Sequence, residues 1–226
     1  MLKAVIFDFD GVITDSEILH LNAFNKTLSS YGVKLSNKEY YSDYLGLNDV
    51  DLCKKLIDQS RLNITYDDID EIVQRKKVIF RQLAESDGNI IDGAVDFIKL
   101  LDDNNITMAI CSGALLSEIE LTLQKASLRH HFVEIVSAEF VRRGKPDPEG
   151  YLLALKKLNQ QSAEPIAAGD CVVIEDSFWG IDAAHTAKMP VIAVTTTYDA
   201  EQLTSAEKIV DRLDEITIED LQLFCS

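Results

Sequence analysis

The sequence lacks a long hydrophobic run: nowhere do about 18 apolar residues follow one another, as a membrane-spanning helix requires. The apolar stretch at residues 1–7 is too short, and too soon followed by Asp8, to be a secretory signal peptide. The sequence therefore predicts a cytoplasmic protein that has no membrane partner.

Cysteine is also scarce, with four residues in a chain of 226. No two of them form a Cys-x-x-Cys pair, and no histidine lies at the spacing of a zinc ligand. This pattern argues against the common zinc motifs. It predicts free thiols, at least three of which pack in the core.

Positive charge is limited, because 22 Lys and Arg residues stand against 38 Asp and Glu residues and give a formal net charge of −16. Such a field repels the phosphate backbone of nucleic acids and anionic membrane surfaces. The charge therefore argues against nucleic acid as a partner. A site for a small phosphorylated metabolite would need local positive charge from a metal ion, a lysine and helix N-termini.

Two acidic residues follow a short apolar segment near the start of the chain. Residues 4–7 have the β-branched and aromatic character of a buried strand, and Gly11 allows a turn after it. Asp8 and Asp10 are two positions apart, so both project from the same side of an extended segment. Carboxylates about 4 Å apart repel each other by about 4 kcal/mol at an effective dielectric constant of about 20, so the pair predicts a divalent cation or a shared proton. An acidic turn that caps a helix is the alternative for this segment alone.

From residue 90 onward the pattern alternates between strands and helices. It predicts helices at 92–103, 117–127, 147–158 and 180–188, the first two capped by Asp92 and Ser117. It predicts strands at 106–111, 134–137, 172–175 and 191–195, followed by a short strand and a closing helix in 209–226. The alternation predicts an α/β fold with a parallel sheet covered by helices on both faces, in which ligands bind beyond the carboxyl ends of the strands.

The segment after the first strand has a different character. It is rich in Lys, Asp, Tyr and Leu at helical spacing, without a convincing parallel strand, and predicts a helical domain at 16–87 inserted into a core of 1–15 and 88–226. Because the insertion begins just after Asp10, we expect it to act as a lid over the end of the first strand. A bundle that only enlarges the core is the alternative.

Three further segments place polar side chains where the predicted strands end. Ser112-Gly113 offers a hydroxyl and backbone amides to an oxyanion. Lys145 lies in a stiff turn between a glycine and a proline, and the acid pair Glu175-Asp176 ends a later strand. Each segment has an ordinary structural explanation by itself, but their order at successive strand ends indicates one site.

Together these motifs resemble those of the haloacid dehalogenase (HAD) superfamily of aspartyl phosphotransferases, within the branch that includes β-phosphoglucomutase and small sugar-phosphate phosphatases. The resemblance covers essentially the whole chain and lies in Asp8 to Glu17, Ser112-Gly113, Lys145-Pro146 and Glu175-Asp176-Ser177-x-x-Gly180. It implies a Rossmann-like core (the HAD fold) with an inserted α-helical cap domain. It also implies a Mg²⁺-dependent phosphatase that hydrolyses small phosphomonoesters, with sugar phosphates favoured.

The resemblance also implies a role for each acidic residue. Asp8 would attack phosphorus to form an aspartyl-phosphate, while Asp10 would protonate the leaving oxygen and later activate water. Mg²⁺ would be held by the Asp8 carboxylate, the Asp10 backbone carbonyl and the Asp176 carboxylate, with Glu175 close by or bound through water.

Four other residues are implied to contact the substrate or the general acid. Ser112, the Gly113 amide and Lys145 would bind the remaining phosphoryl oxygens. His20 aligns with a hinge histidine that contacts the general acid in the mutase; as a lone histidine at a helix start, it is otherwise an ordinary surface or core residue.

A phosphosugar mutase of the β-phosphoglucomutase type is the alternative within the same family. The mutase holds a distal phosphate with a cap arginine three residues after a glycine, whereas Asp49 follows Gly46 here. A carboxylate repels a second phosphate, so the sequence favours hydrolysis of a monophosphate. Arg75, Lys76 or Lys77 could replace the arginine.

Two alternatives belong to other classes of protein. A receiver-like signalling module also combines acids, a hydroxyl and a lysine around Mg²⁺, but it lacks an insertion after the first strand. A catalytically silent binding protein is disfavoured because both aspartates, the lysine and the last acid pair are present.

The sequence leaves open whether Trp179 lines the mouth of the site or covers core surface. We expect a monomer or a weak homodimer.

Overall fold

The computed structural model describes residues 1–45, 47–87 and 90–225 of the chain. The chain divides into two units, which we call the core unit (Met1–Asp15 and Asn89–Ser226) and the helical unit (Ser16–Gly88). Within the described ranges, no helix combines the length and the apolar character that crossing a membrane requires.

A parallel sheet forms the centre of the core unit. In the described part of the chain its six strands are β1 (Ala4–Phe7), β2 (Thr107–Cys111), β3 (Phe132–Val136), β4 (Cys171–Glu175), β5 (Val191–Val194) and β6 (Lys208–Val210). The strand order is β3-β2-β1-β4-β5-β6, and all neighbours are parallel. The order reverses next to β1, and ligands of open α/β sheets bind at such a switch point. The predicted α/β fold is confirmed.

Helical segments account for much of the rest of the described chain. The helical unit contains α1 (Glu17–Leu28), α2 (Asn37–Glu39), α3 (Asp49–Asp58) and α4 (Ile69–Asp87). The core unit contains α5 (Ala94–Asp103), α6 (Leu116–Lys125), α7 (Glu149–Gln161), α8 (Phe178–Thr186) and α9 (Ile218–Phe224).

The central strand is apolar because both of its faces are buried. Val5 and Phe7 belong to one hydrophobic cluster of the core unit, while Ala4 and Ile6 belong to the other. This division follows from the two-residue period of a strand, which sends alternate side chains to opposite faces of the sheet. Helices cover both faces and leave the ends of the strands as the place for polar chemistry.

The helical unit has a hydrophobic core of its own. Phe24 and Leu28 of α1 pack in one cluster with Leu52 and Leu56 of α3 and Ile72 of α4. No strand occurs in this unit among residues 16–45 and 47–87. The helical character predicted for the insertion is therefore present.

Two predicted helix caps are wrong. Gly93, not Asp92, is the N-cap of α5, because its φ of 87° is a left-handed conformation that glycine adopts without strain. Leu115, not Ser117, is the N-cap of α6, and its N–H donates to the Glu118 carboxylate at 3.4 Å. Leucine has no side-chain acceptor for the next N–H groups, so only the Glu118 half of a capping box, its bond from the N-cap N–H, is present.

The four cysteines are free thiols, as the sequence predicts. Cys53, Cys111 and Cys171 are buried, and Cys225 is partly exposed. Burial raises the pKa of Cys53 to about 11 and the pKa of Cys111 to about 12, so both remain protonated at neutral pH. Their role in the fold is packing.

Candidate active site

The carboxyl ends of β1, β2 and β4 carry the residues that the sequence singles out. Asp8 directly follows β1, Ser112 directly follows β2, and Glu175 and Asp176 lie at the end of β4. The Asp8 N–H donates to the Ile174 carbonyl at 2.9 Å, which continues the pairing of β1 with β4. The sheet therefore brings Asp8 beside the acid pair of β4.

Lys145 connects the two central strands. Its ammonium donates to Asp8 Oδ1 at 2.7 Å and to Glu175 Oε1 at 2.6 Å. The loop that carries Lys145 is held by Glu149, whose carboxylate accepts from the backbone N–H groups of Arg142 and Arg143 at 3.1 Å each. Charge-assisted bonds of this length in a buried setting fix the lysine between the two carboxylates.

Glu175 is fixed from several sides. In addition to Lys145, Tyr151 of α7 donates its hydroxyl to Glu175 Oε1 at 2.8 Å. Oε2 accepts from the N–H groups of Asp176 and Ser177 at 3.0 Å and from the Ser177 hydroxyl at 2.9 Å. Because both oxygens are engaged and the side chain is fully buried, Glu175 is suited to orient Lys145.

The charged groups of this site perturb one another. Burial raises the pKa of Asp8 to about 7; Glu175 and Asp10 also raise it, and Lys145 opposes them. Burial would raise the pKa of Glu175 as well, but Lys145 and the hydrogen bonds from Tyr151 and Ser177 outweigh burial and lower it. The pKa of Lys145 lies well above its ordinary value, because Asp8 and Glu175 outweigh burial.

Asp176 completes the acidic group, and Gly11 gives it space. Burial, Glu175 and Asp8 raise the pKa of Asp176 well above its ordinary value, while a hydrogen bond with Thr197 lowers it. A Cβ atom at Gly11, which has a φ of +76°, would overlap the Asp176 carboxylate and press against the Thr197 hydroxyl. Glycine is therefore required at this turn both by conformation and by close approach.

This donor set fits a divalent cation. Asp8, Glu175 and Asp176 offer carboxylate oxygens that all lie within 4.8 Å of one another. Lys145 pairs with Asp8 and Glu175, so three ionised carboxylates beside this one ammonium would leave two negative charges to be neutralised. The raised pKa values of Asp8 and Asp176 express the same imbalance. An all-oxygen set of this kind suits Mg²⁺.

The remaining core residues of the prediction lie at the same edge of the sheet. Asp10 is half-buried in the turn after β1, close enough for its charge to raise the pKa of Asp8. Ser112 is buried, and its Oγ accepts from the Ala114 N–H at 3.0 Å. This bond fixes the hydroxyl oxygen of Ser112, while the adjacent Gly113 is exposed.

His20 belongs to the helical unit, where its ring lies against a buried lysine. Lys76 Nζ is 2.6 Å from His20 Nδ1 and donates to Asp49 Oδ1 at 2.8 Å. The Phe80 ring stacks on His20 with a centroid distance of 4.3 Å. Burial and Lys76 place the pKa of His20 well below its ordinary value, so the ring is neutral. Gly46, which precedes Asp49 in the mutase comparison, lies outside the described residues.

Sequence reasoning missed Tyr151 and Thr197. Tyr151 is a buried aromatic residue of α7, and nothing in its spacing distinguishes it from ordinary core. Thr197 follows β5, so the rule that polar residues at strand ends form the site could have identified it. Both act through carboxylates that the sequence did identify.

Gly180 offers a test of how strictly Glu175 must be held. A Cβ atom at Gly180 would overlap the Glu175 carboxylate. We expect Gly180→Ala to displace Glu175, to lower kcat/KM roughly 10- to 100-fold, and to lower the free energy of unfolding by about 1–3 kcal/mol. Steady-state kinetics and urea denaturation measure the two effects.

Gly144 provides the matched control, because it adjoins Lys145 and a Cβ atom there meets no atom within 4 Å. Gly144→Ala should leave both quantities nearly unchanged. If Gly180→Ala behaved like this control, the position of Glu175 would not matter for activity.

Comparison with protein families gives one match across most of the chain. A profile of the family described as haloacid dehalogenase-like hydrolase matches residues 5–194. The chain is also similar to 5-amino-6-(5-phospho-D-ribitylamino)uracil phosphatase, chloroplastic, of Arabidopsis thaliana, with 34% identity over 151 residues. That alignment covers 67% of this chain and 39% of the plant protein, so the chain spans less than half of that protein's length.

Two further proteins match over nearly their full length. Hexitol phosphatase B of Escherichia coli (strain K12) is 29% identical over 222 residues, which is 97% of this chain and 96% of that protein. Among solved structures, β-phosphoglucomutase (pgmB) of Clostridium difficile has a TM-score of 0.78 and 25% identity, covering 99% of this chain and 96% of that one.

Proposed function

The chain belongs to the haloacid dehalogenase-like hydrolase family, and on that premise we propose that it hydrolyses small phosphomonoesters through an aspartyl-phosphate on Asp8, with Mg²⁺ as cofactor. Sugar phosphates are the favoured substrates, and the similarity to hexitol phosphatase B supports them. The substrate partner is therefore a small phosphorylated metabolite.

The observation that carries the proposal is the constellation at the end of β1. A buried carboxylate, Asp8, stands 2.7 Å from the ammonium of Lys145, with Asp176 near enough to share a cation with it. Phosphoryl transfer depends mainly on positioning and on neutralising charge. This cluster supplies a nucleophile and a fixed positive charge, in an otherwise acidic protein that would repel a phosphate elsewhere.

The reaction divides into two displacements at phosphorus. A carboxylate oxygen of Asp8 forms a bond to phosphorus, the bond to the ester oxygen breaks, and that oxygen takes a proton from Asp10. Water then attacks phosphorus, Asp10 accepts its proton, and phosphate leaves with Asp8 restored. Lys145, the Ser112 hydroxyl and the Gly113 amide donate to the phosphoryl oxygens throughout.

Mg²⁺ would be held by the carboxylates of Asp8 and Asp176 and the backbone carbonyl of Asp10. It would supply positive charge for the phosphoryl oxygens. Glu175 stands close by, and because its oxygens already accept hydrogen bonds from protein groups, a contact through water suits it better than a direct one. The pKa of about 7 for Asp8 leaves its nucleophilic form incompletely populated at neutral pH without a cation.

Hydrolysis is favoured over the mutase alternative by the surroundings of Asp49. A mutase must hold a second phosphate, and the position of its arginine is taken here by an acid that is ion-paired with Lys76 at 2.8 Å. Lys76, one of the cations that could replace the arginine, is thus already neutralised. The cap role of the helical unit and a contact of His20 with the substrate or the general acid remain predictions.

A phosphate-release assay tests the proposed function. With p-nitrophenyl phosphate or small sugar phosphates, we expect turnover in Mg²⁺, loss of turnover in EDTA and recovery when Mg²⁺ is restored. Full activity in EDTA would contradict the metal role. A single phosphorylation event without continued release would indicate a receiver-like module.

The mutase arm of the same experiment uses β-glucose 1-phosphate with a catalytic amount of the bisphosphate. We expect release of inorganic phosphate and little glucose 6-phosphate. Accumulation of glucose 6-phosphate would establish the mutase instead.

A cytoplasmic location, supported by the four free thiols, also belongs to the proposal.

A further inference from the structure

Three aromatic side chains of the core unit, which directly follow residues of the site in the sequence, form a cluster. The rings of Phe178 and Trp179 stack with a centroid distance of 4.3 Å and an interplanar angle of 26°. The Phe178 ring also meets the Tyr198 ring edge to face, at 5.2 Å. Trp179 is 41% exposed, although tryptophan usually contributes its large apolar surface to a core or an interface.

The chain ties this cluster to the site at two points. Phe178 and Trp179 directly follow the Glu175-Asp176-Ser177 segment, and Tyr198 directly follows Thr197, the hydrogen-bond partner of Asp176. Trp179 is three residues from Asp176, so their Cα atoms lie within about 11 Å of each other. The organic part of a phosphorylated sugar or nucleoside bridges such a distance.

Helix α8 holds the aromatic pair Phe178 and Trp179, which we call the platform, in place independently of any ligand. Ser177 caps α8 by accepting from the Gly180 N–H at 3.2 Å, and Gly180 packs against Glu175. Trp179 therefore lies in a first helical turn that Ser177 and Gly180 anchor to Glu175. Phe178 supports it from one side, which limits the ring orientations that Trp179 can adopt.

We propose that Trp179, supported by Phe178, stacks on the face of a ring in the alcohol portion of the substrate and so selects ring-bearing phosphomonoesters over open-chain ones. The inference rests on the proposed function and adds to it a specificity-determining residue and a substrate class. The shared chemistry is an apolar ring face, which either a heteroaromatic base or the C–H side of a sugar ring presents. The two sources differ in strength, because a π system adds stacking that a saturated ring lacks.

Matched substrate pairs test the proposal. Uridine 5′-monophosphate is compared with ribose 5-phosphate, and glucose 6-phosphate with the open-chain sorbitol 6-phosphate. For Trp179→Ala we expect kcat/KM on the preferred ring-bearing substrate to fall roughly 5- to 150-fold and kcat/KM on sorbitol 6-phosphate to change less than about twofold. A loss on uridine 5′-monophosphate alone identifies a heteroaromatic ring; a loss on glucose 6-phosphate identifies a sugar ring.

Two further variants separate stacking from a structural role. Trp179→Phe keeps a flat face and should retain most of the preference, because stacking does not require the indole nitrogen. Leu223→Ala removes a 76% exposed apolar side chain from α9 and should leave kcat/KM unchanged for both ring-bearing and open-chain substrates. Equal losses on ring-bearing and open-chain substrates in Trp179→Ala would overturn the proposal, as would no loss at all.

A binding measurement distinguishes failure of this inference from failure of the proposed function. The chain contains a single tryptophan, so intrinsic indole fluorescence reports on Trp179 alone. With the Asp8→Asn variant, in which no turnover is expected, ring-bearing phosphomonoesters should quench this fluorescence, and sorbitol 6-phosphate and inorganic phosphate should not. Wild-type turnover of ring-bearing substrates without any quenching would refute the platform while leaving the phosphatase intact.

Discussion

Asp8→Asn is expected to abolish turnover, lowering kcat by about 10⁴-fold or more, because an amide oxygen cannot replace a carboxylate as the nucleophile at phosphorus. The fold should be unaffected. Asparagine has nearly the same shape as aspartate and keeps an acceptor for Lys145. In the wild type, Lys145 donates to Asp8 Oδ1 at 2.7 Å. Initial rates of phosphate release and a urea denaturation curve measure the two quantities.

Loss of the Asp8 charge should cost the folded protein little stability. Burial and the neighbouring acids raise the pKa of Asp8 to about 7, so the ionised form of Asp8 is energetically unfavourable in the folded protein. Removing that charge should therefore change the free energy of unfolding by less than about 1 kcal/mol, or increase it. Asp182→Asn, at an exposed acid of α8, is the control and should retain full activity. Substantial turnover by Asp8→Asn would remove Asp8 from the role of nucleophile.

Lys145→Met is expected to impair both activity and stability. The substitution removes the cation that pairs with Asp8 and Glu175 and leaves two buried carboxylates without a positively charged partner. Breaking a buried pair in this way costs about 3–5 kcal/mol. Loss of a fixed positive donor to the phosphoryl group should lower kcat by roughly 10²- to 10³-fold.

The stability deficit of Lys145→Met should depend on pH. In the wild type, the lowered pKa of Glu175 gives stability that is present above its ordinary value of 4.5 and lost as the pH falls through the lowered value. In the variant, we expect the pKa of Glu175 to rise because Lys145 no longer offsets burial, and the pKa of Asp8, which is raised already, to rise further. Raised pKa values of carboxyl groups destabilise the fold at pH values above their ordinary pKa values. The difference in unfolding free energy should therefore be largest near neutral pH and shrink toward pH 4, as urea denaturation across this range would measure.

Lys157→Met is the matched control for Lys145→Met, because Lys157 pairs with a single acid near the surface. Lys157 donates to Glu134 at 2.8 Å, and both side chains are partly exposed. Such a pair contributes at most about 1 kcal/mol, so this variant should be nearly as stable as the wild type and fully active. If both lysine variants lost the same stability, the ion pairs of Lys145 would have no special role.

Much of the core unit could be predicted from sequence, because its apolar strand, its glycine turn and its polar strand ends each indicate one structural role. The apolar run before Asp8, the glycine after it and the polar residues at later strand ends predicted a parallel sheet with a site at its carboxyl edge, and the structure places Asp8, Lys145, Glu175 and Asp176 there. The predicted family, that of the haloacid dehalogenase-like hydrolases, is confirmed. Side-chain type and strand ends sufficed because a parallel sheet brings its carboxyl ends to one edge.

Other features depend on tertiary contacts that a single sequence does not display. The hydroxyl of Tyr151 reaches Glu175 only because α7 packs against the sheet, and its spacing resembles that of any core aromatic. The cap of α5 was misassigned because a positive φ at Gly93 places the helix start one residue later than Asp92 implies. The pairing of Lys76 with both His20 and Asp49 joins three distant segments of the helical unit.

The central claim is that Asp8 becomes transiently phosphorylated, and trapping that ester tests it most directly. The wild-type enzyme is mixed with Mg²⁺ and a phosphomonoester labelled at phosphorus, quenched in acid within one turnover, and digested for peptide mapping. We predict acid-stable, hydroxylamine-sensitive label on the peptide that contains Asp8, and none in Asp8→Asn. Phosphate release without labelled protein, or label on another residue, would contradict the account.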